Sequence, residues 1–269
     1  MDIKEEIIQA LVSAHIPSPR LEANIIIKYA APDYPNITDN QKQAINSMLR
    51  RRCNHEPLDK IIGKKEFYKS VFKVNQNVLS PRPDTEILVE RALNLIPSDT
   101  SYKILDLGTG SGCILLSLLK EKTLSLGVGV DVSKKALDIA KENAKLLGVS
   151  SRTEFINKSW NDVELKAEEF DMIVSNPPYI ESDEINCLDE EVKTYDPIVA
   201  LDGGKDGLDC YREIADKAPK WLKKNGYILL EVGYNQAEQV KDIFKDSTLK
   251  FIDFAKDLSE IKRCIILKK

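Results

Sequence analysis

Histidine is almost absent from this chain of 269 residues: His15 and His55 are the only two, both close to the amino terminus. Chemistry carried out by the rest of the chain therefore proceeds without an imidazole base. Cysteine is sparse too. The five present (Cys53, Cys113, Cys187, Cys210 and Cys264) are odd in number, scattered and never paired as C-x-x-C, which argues against a disulfide framework and a zinc site. No metal is expected, and a reducing cytoplasm is the expected compartment. No window approaches about eighteen uncharged apolar residues, and MDIKEEIIQA opens on charges rather than on a basic stretch leading into an apolar run. Neither membrane insertion nor export is expected. Nor does one charge dominate: 39 Lys and Arg stand against 43 Asp and Glu, a net charge of −4, too little cation for a polyanion binder. Nucleic acid is therefore not an expected partner.

What the chain does have is core: with 42% hydrophobic and 30% charged residues it can bury one large domain and a small one. Apolar side chains three and four apart predict helices over 3–14, 19–30 and 39–53, with Ser18 as cap and Pro19 at the first position of the second. The run Arg50-Arg51-Arg52 reads either as a solvated helix face or as a surface for RNA or an acidic partner. Short β-rich runs in EFYKSVFKVNQNVLS predict a hairpin. From Tyr102 onward, strand-like runs alternate with helix-like ones. KILDL, SLGVGVDV, TEFIN, FDMIVS, YILLEVG, FIDFA and CIILK are separated by helices over 113–120, 134–147, 208–224 and 236–245, the second capped by Ser133 and stopped by Gly148. The last two strands have no helix between them and should pair antiparallel at one edge. The expectation is an α/β fold, a doubly wound, mostly parallel, seven-stranded Rossmann-like sheet over residues 81–269, joined by a hairpin linker (66–80) to a small helical domain (1–65).

KILDLGTGSGCILL is a strand, a glycine-rich turn and a helix start, with glycines at 108, 110 and 112. Bare Cα positions let the backbone turn tightly and a ligand lie against main-chain N–H groups. Because Cys113 stands where the third glycine of G-x-G-x-x-G would fall, a pyrophosphate cradle is the weaker reading. Asp131, ending the next strand, is placed to accept hydrogen bonds from two ribose hydroxyls. With Asp106 at the preceding strand end, the anionic lining suits a cationic nucleoside carrying an amino group. S-adenosylmethionine meets that description. Trp160 offers an aromatic face for an adenine, or simply covers the sheet edge. NPPY (176–179) ends an apolar strand either as an ordinary stop or as a clamp.

DLGTGSG (106–112), Asp131, Ser159-Trp160 and NPPY, in this order, resemble a class I S-adenosylmethionine-dependent methyltransferase. PLDKIIGKKEF (57–67), LSPRPDTEILVE (79–90), YDPIVALDGGKDGL (195–208) and LLEVGYNQ (229–236) resemble, more closely, the release factor glutamine methyltransferases, over nearly the whole chain. The resemblance implies methyl transfer to the side-chain nitrogen of the glutamine in the Gly-Gly-Gln loop of peptide chain release factors, leaving S-adenosylhomocysteine, by a monomer whose helical front domain docks the substrate. It implies cofactor contacts from Gly108, Thr109, Gly110, Ser111 and Gly112 to the methionine part, Asp131 to the ribose and Trp160 near the adenine, with Asn176 at the transfer centre. The chain departs from the family's common pattern at Ser159, where an acidic residue precedes the tryptophan, and at Lys60, in a segment that commonly holds a tyrosine.

An amide nitrogen is a poor nucleophile because its lone pair is delocalised, so it must be oriented. The Asn176 side-chain oxygen and the Pro177 carbonyl can each accept one N–H of the substrate amide, directing the lone pair at the methyl. Pro177 and Pro178 preset these acceptors by fixing φ and keeping the preceding residue extended, and the Tyr179 ring can pack on the flat amide. Positioning of this kind supplies up to ~7–11 kcal/mol of a barrier, so no strong base is required. Three alternatives stay open: a ribosomal-protein glutamine as target, an adenine or cytosine amino group of DNA, and a non-catalytic cofactor- or ribosome-binding module. In PRPDTE, either Arg82, Thr85 and Glu86 line the site entrance or Asp84 caps the helix 85–96.

Overall fold

The computed structural model describes residues 2–269. Helices α1 (Ile3–Ser13), α2 (Pro19–Ala30), α3 (Asp39–Cys53) and α4 (Leu58–Ile62) come first, then strands β1 (Lys64–Phe67) and β2 (Ser70–Lys73) and helix α5 (Thr85–Leu95). The alternating part runs β3 (Lys103–Leu107), α6 (Cys113–Glu121), β4 (Leu126–Asp131), α7 (Lys134–Leu146), β5 (Thr153–Asn157) and β6 (Phe170–Ser175). It ends with α8 (Glu190–Tyr195), α9 (Asp209–Trp221), β7 (Leu222–Glu231), α10 (Ala237–Phe244), β8 (Lys250–Lys256) and β9 (Lys262–Lys268). The chain divides into two compact units, one holding residues up to Lys64 together with Asp189–Tyr195, the other holding the rest.

In the helical unit, α1, α2 and α3 close over Ile7, Leu11, Ile26 and Ile45. Thr38 starts α3 with a capping box, accepting from the Gln41 backbone while Gln41 returns its side-chain oxygen. Ser18 does not cap as expected: it stands before Pro19 with φ +55° and no side-chain hydrogen bond, the proline alone setting the helix start. The arginine run is not a single face either, because successive helical residues point about 100° apart. Arg50 is exposed, Arg51 pairs with Glu56 at 2.5 Å, and Arg52, 3% exposed, is clasped by Glu22 at 2.6 Å and Glu191 at 2.7 Å. Lys60 is buried and donates to the Tyr195 carbonyl.

The second unit is built on a seven-stranded sheet in the order β5-β4-β3-β6-β7-β9-β8. Strands β3 to β7 are parallel, and β9 runs antiparallel between β7 and β8. Alternation along each strand feeds two cores. Leu105, Leu107, Ile173 and Ile228 face α9 and α10, whereas Ile104, Met172, Val174 and Leu229 face α5 and α6. The hairpin β1–β2, turned by Tyr68 and Lys69 at positive φ, puts Phe67 and Phe72 into the second core and ends at Lys73. One boundary moves: the helix expected to reach 224 stops at Trp221, just after Pro219, and β7 already begins at Leu222. The chain leaves β5 at one edge and returns to β6 on the other side of β3. The carboxyl ends of β3 and β6 therefore flank the point where strand order reverses, the place at which such sheets bind ligands.

Candidate active site

The loop after β3 takes positive φ at Gly108, Gly110 and Gly112. Its N–H groups are largely engaged within the protein: those of Gly108 and Thr109 donate to the Val130 carbonyl at 2.9 and 3.1 Å, that of Gly112 to the Thr109 carbonyl, and that of Gly110 to Asp131 Oδ2 at 2.8 Å. With four of the loop's N–H groups engaged in this way, a phosphate would find few free donors here. The Gly112 Cα turns toward the helices, where an added Cβ would meet Leu116 Cδ1 at 2.8 Å, so the glycine serves packing. Asp106, 1% exposed, lies beneath the loop rather than in the cavity lining. It accepts the Thr109 hydroxyl at 2.6 Å, and burial pushes its carboxyl up to about 7.

Asp131 ends β4 with each oxygen held by one backbone N–H, Gly110 on Oδ2 and Ser133 on Oδ1, both at 2.8 Å. Further lone pairs are left for a diol. Burial raises this carboxyl, opposed by those two bonds. Trp160 lies over the loop, 3.4 Å from where a Cβ on Gly108 would stand, and its indole N–H donates to Glu213 at 2.6 Å.

At the end of β6, the Ser175 hydroxyl donates to the Leu107 carbonyl at 2.6 Å, tying the two strand ends together. The Asn176 side-chain N–H donates to the Thr85 hydroxyl at 3.2 Å. Pro177 is buried and Pro178 half-buried. The Tyr179 ring packs against the core that carries α9 and α10, and burial pushes its hydroxyl up to about 12, which disqualifies it as a base at neutral pH. The loop DGGKDG braces the clamp from behind. Gln236 donates to the Tyr179 carbonyl at 2.9 Å, and Gly207, at φ +69°, passes so close that a Cβ would stand 2.4 Å from that oxygen. Only glycine fits there.

One cavity of about 320 Å³ gathers much of this, within the range of small-molecule sites. Gly108, Thr109, Gly110, Ser111, Asp131, Trp160, Asn176 and Pro178 line it; Gly112, Pro177 and Tyr179 do not. Sequence reasoning missed Glu213 and Asp202 as lining residues and left Arg82 and Thr85 undecided; all four line the cavity. The signal lay in the segments that carry the resemblance, PRPDTE and YDPIVALDGG, and for Glu213 there was none. Asp84 does not cap α5 through its side chain and pairs with Arg263 at 3.0 Å. The lining holds three carboxylates, Asp131, Asp202 and Glu213, against one basic side chain, Arg82, which is itself paired with Asp196 at 2.9 Å. Acceptors without a phosphate cradle fit a ligand that is a cation with hydroxyls and an amino group. The residues present therefore fit S-adenosylmethionine. Among the described residues, no group of three or more His, Cys, Asp and Glu is placed to hold a metal, and no helix is long and apolar enough to cross a membrane.

A family model described as a methyltransferase domain matches residues 98–265. Among solved structures, a methyltransferase from Pyrococcus furiosus superposes with a TM-score of 0.52 at 16% identity, over 74% of this chain and 88% of that one, a likeness of fold. Fold and domain together define a Rossmann-like S-adenosylmethionine-dependent methyltransferase. A release factor glutamine methyltransferase of Caulobacter vibrioides is 38% identical over 95% of this chain and 91% of its own, and one of Thermodesulfovibrio yellowstonii is 42% identical over 87% and 84%. The chain belongs to the release factor glutamine methyltransferase family.

Proposed function

We propose that the protein methylates the side-chain amide nitrogen (N5) of a release factor glutamine, that of the Gly-Gly-Gln motif, with S-adenosylmethionine as donor and S-adenosylhomocysteine as product. The observation that carries the reading is the meeting of Asn176 with the glycine loop and Asp131 in one acid-lined cavity. The relatives named above support the substrate. The donor supplies an electrophilic sulfonium methyl when bound. In this reading Gly108, Thr109, Gly110, Ser111 and Gly112 shape the bed for its methionine part, Asp131 accepts the ribose hydroxyls and Trp160 covers the adenine. Glu213, fixed by the indole N–H, supplies an acidic group near Trp160, where the family's usual one is replaced by Ser159.

Catalysis then falls to the clamp. The Asn176 oxygen and the Pro177 carbonyl accept the two N–H groups of the substrate amide, drawing its lone pair out of conjugation and toward the methyl. Tyr179 contributes its ring, not its hydroxyl, to holding the amide plane. The nitrogen, made acidic once the methyl has arrived, gives up its proton to water, so a cavity lined by no histidine is no obstacle. The helical unit docks the release factor, which is a folded protein and needs more surface than the cavity offers.

The test is incubation with S-adenosylmethionine and a purified release factor, followed by mass spectrometry of the Gly-Gly-Gln peptide. One added methyl on the glutamine is expected. A methyl found only on a ribosomal protein or on duplex DNA would replace this substrate with another.

A further inference from the structure

Asn176 carries a side chain with two ends of nearly the same shape, and only one of them accepts a hydrogen bond. With the NH₂ end toward the substrate, donor would face donor and the clamp would repel the amide it has to hold. Something must decide the orientation. The Thr85 hydroxyl, 3.2 Å from the Asn176 nitrogen, cannot decide it alone, since a hydroxyl both donates and accepts.

Glu231 can, because a carboxylate only accepts. It ends β7 beside β6, where Ser175 is opposite Leu230, so Asn176 and Glu231 follow at adjacent positions of the paired strands. It is 3% exposed, its Oε2 has no hydrogen-bond partner, and it does not line the cavity, whereas Thr85 and Asn176 do. Burial pushes its carboxyl up to about 7, and the neighbouring Thr85 hydroxyl, more than the Asn176 amide, draws it back down. Such a group weakens the folded state, which argues that it is kept for the site rather than for stability.

We propose that Glu231 is a positioning residue: it draws the Thr85 hydroxyl proton and the Asn176 NH₂ end toward itself, so that the Asn176 oxygen is aimed into the cavity. Glu231 fixes the direction of the Thr85 O–H, the Thr85 lone pair takes the amide N–H, and the oxygen is left for the substrate. Protonation would give Glu231 a donor of its own and remove the constraint. The charges acting on it are Asp84, which favours protonation, and Arg263, which opposes it; the Tyr179, Tyr211 and Cys264 side chains around it are all held neutral by burial.

The inference rests on the proposed role of Asn176, and its test has an arm that does not need turnover. Glu231→Gln and Thr85→Val should each lower kcat about 10- to 100-fold, the range for residues that orient a reacting group. The KM for the release factor and the affinity for S-adenosylhomocysteine, read by calorimetry, should stay within about twofold, and Thr85→Ser should recover most of kcat. The wild-type rate should fall as pH drops through about 7, and this limb should vanish in Glu231→Gln. By NMR, the Asn176 side-chain amide resonances should titrate in the same range in the wild type and not in Glu231→Gln. Unchanged kcat in both variants, a Thr85→Ser protein as slow as Thr85→Val, or amide resonances indifferent to Glu231 would overturn the inference. A wild-type protein that titrates as expected but leaves the release factor unmethylated would support the positioning and overturn the substrate.

Discussion

The ends of β3 and β6 are neighbours in the sheet, tied by the Ser175 hydroxyl on the Leu107 carbonyl, yet they form their sides of the cavity by opposite means. After β3 the chain removes side chains, and Gly108 and Gly110 at positive φ let the backbone itself become the wall, while Gly112 lets the loop pack on the helix behind it. After β6 it adds constraint, and two prolines hold an amide and a carbonyl where they stop. One end is made to bind and the other to orient. The difference predicts that changes at the β3 end move cofactor affinity, while changes at the β6 end move kcat.

Asn176→Ala gives the largest break. Removing one preorganised hydrogen-bonding group that acts on the reacting atom costs about 10²- to 10³-fold in kcat by analogy with oxyanion-hole losses. Calorimetry with S-adenosylhomocysteine should show affinity close to wild type. If both fell together, Asn176 would belong to the binding half and the division would be wrong.

Both strand ends were legible in the sequence, and their supports were not. A glycine loop and NPPY are contiguous motifs whose conformation is set locally, so DLGTGSG, Asp131 and NPPY could be placed at strand ends from alternation alone. Thr85, Glu213 and Glu231 reach the site from α5, α9 and β7, and their meeting depends on how distant strands register, which no local pattern encodes. The same limit explains Arg52. Its neighbours in sequence suggested a solvated face, and a carboxylate 139 positions away, Glu191, helps bury it. The alternation of the sheet was readable from periodicity, but the cap expected at Ser18 was not formed, Pro19 alone setting the helix start, and of the two readings of PRPDTE the Asp84 cap was not taken up, Asp84 pairing with Arg263 instead.

Asp131→Ala tests the binding half and ranks second. Its carboxylate also fixes Gly110 and Ser133, so the loss combines the ribose contacts with a slackened loop. Hydrogen bonds to a charged group are worth about 1.5–3 kcal/mol, which corresponds to roughly 10- to 150-fold weaker binding of S-adenosylhomocysteine. At saturating cofactor the turnover should stay within a few-fold of wild type. A drop in kcat as large as that of Asn176→Ala would merge the two halves.

The smallest effects sharpen the comparison most, because they alter backbone freedom and leave every charge in place. Gly110→Ala puts a methyl on a residue at φ +55° whose nearest protein atom would be the Gly108 carbonyl oxygen at 4.0 Å, so there is room in the protein and the left-handed conformation costs about 1–2 kcal/mol. The folded chain bears that penalty with or without ligand, so it reads out as lost stability, while the methyl itself fills space on the ligand side and a roughly fivefold or greater loss of cofactor affinity should result with little change in saturated turnover. Pro178→Ala does the reverse. It frees φ at 178 and relaxes the restriction on Pro177 that aims the acceptor carbonyl. Releasing one such constraint is worth about 0.4–1 kcal/mol, so kcat should fall about two- to fivefold while cofactor affinity holds. Full kinetics on the two variants, side by side, decide the matter: if both moved the same parameter, glycine and proline at these strand ends would be serving one purpose, and the opposition between shaping and pinning would be lost.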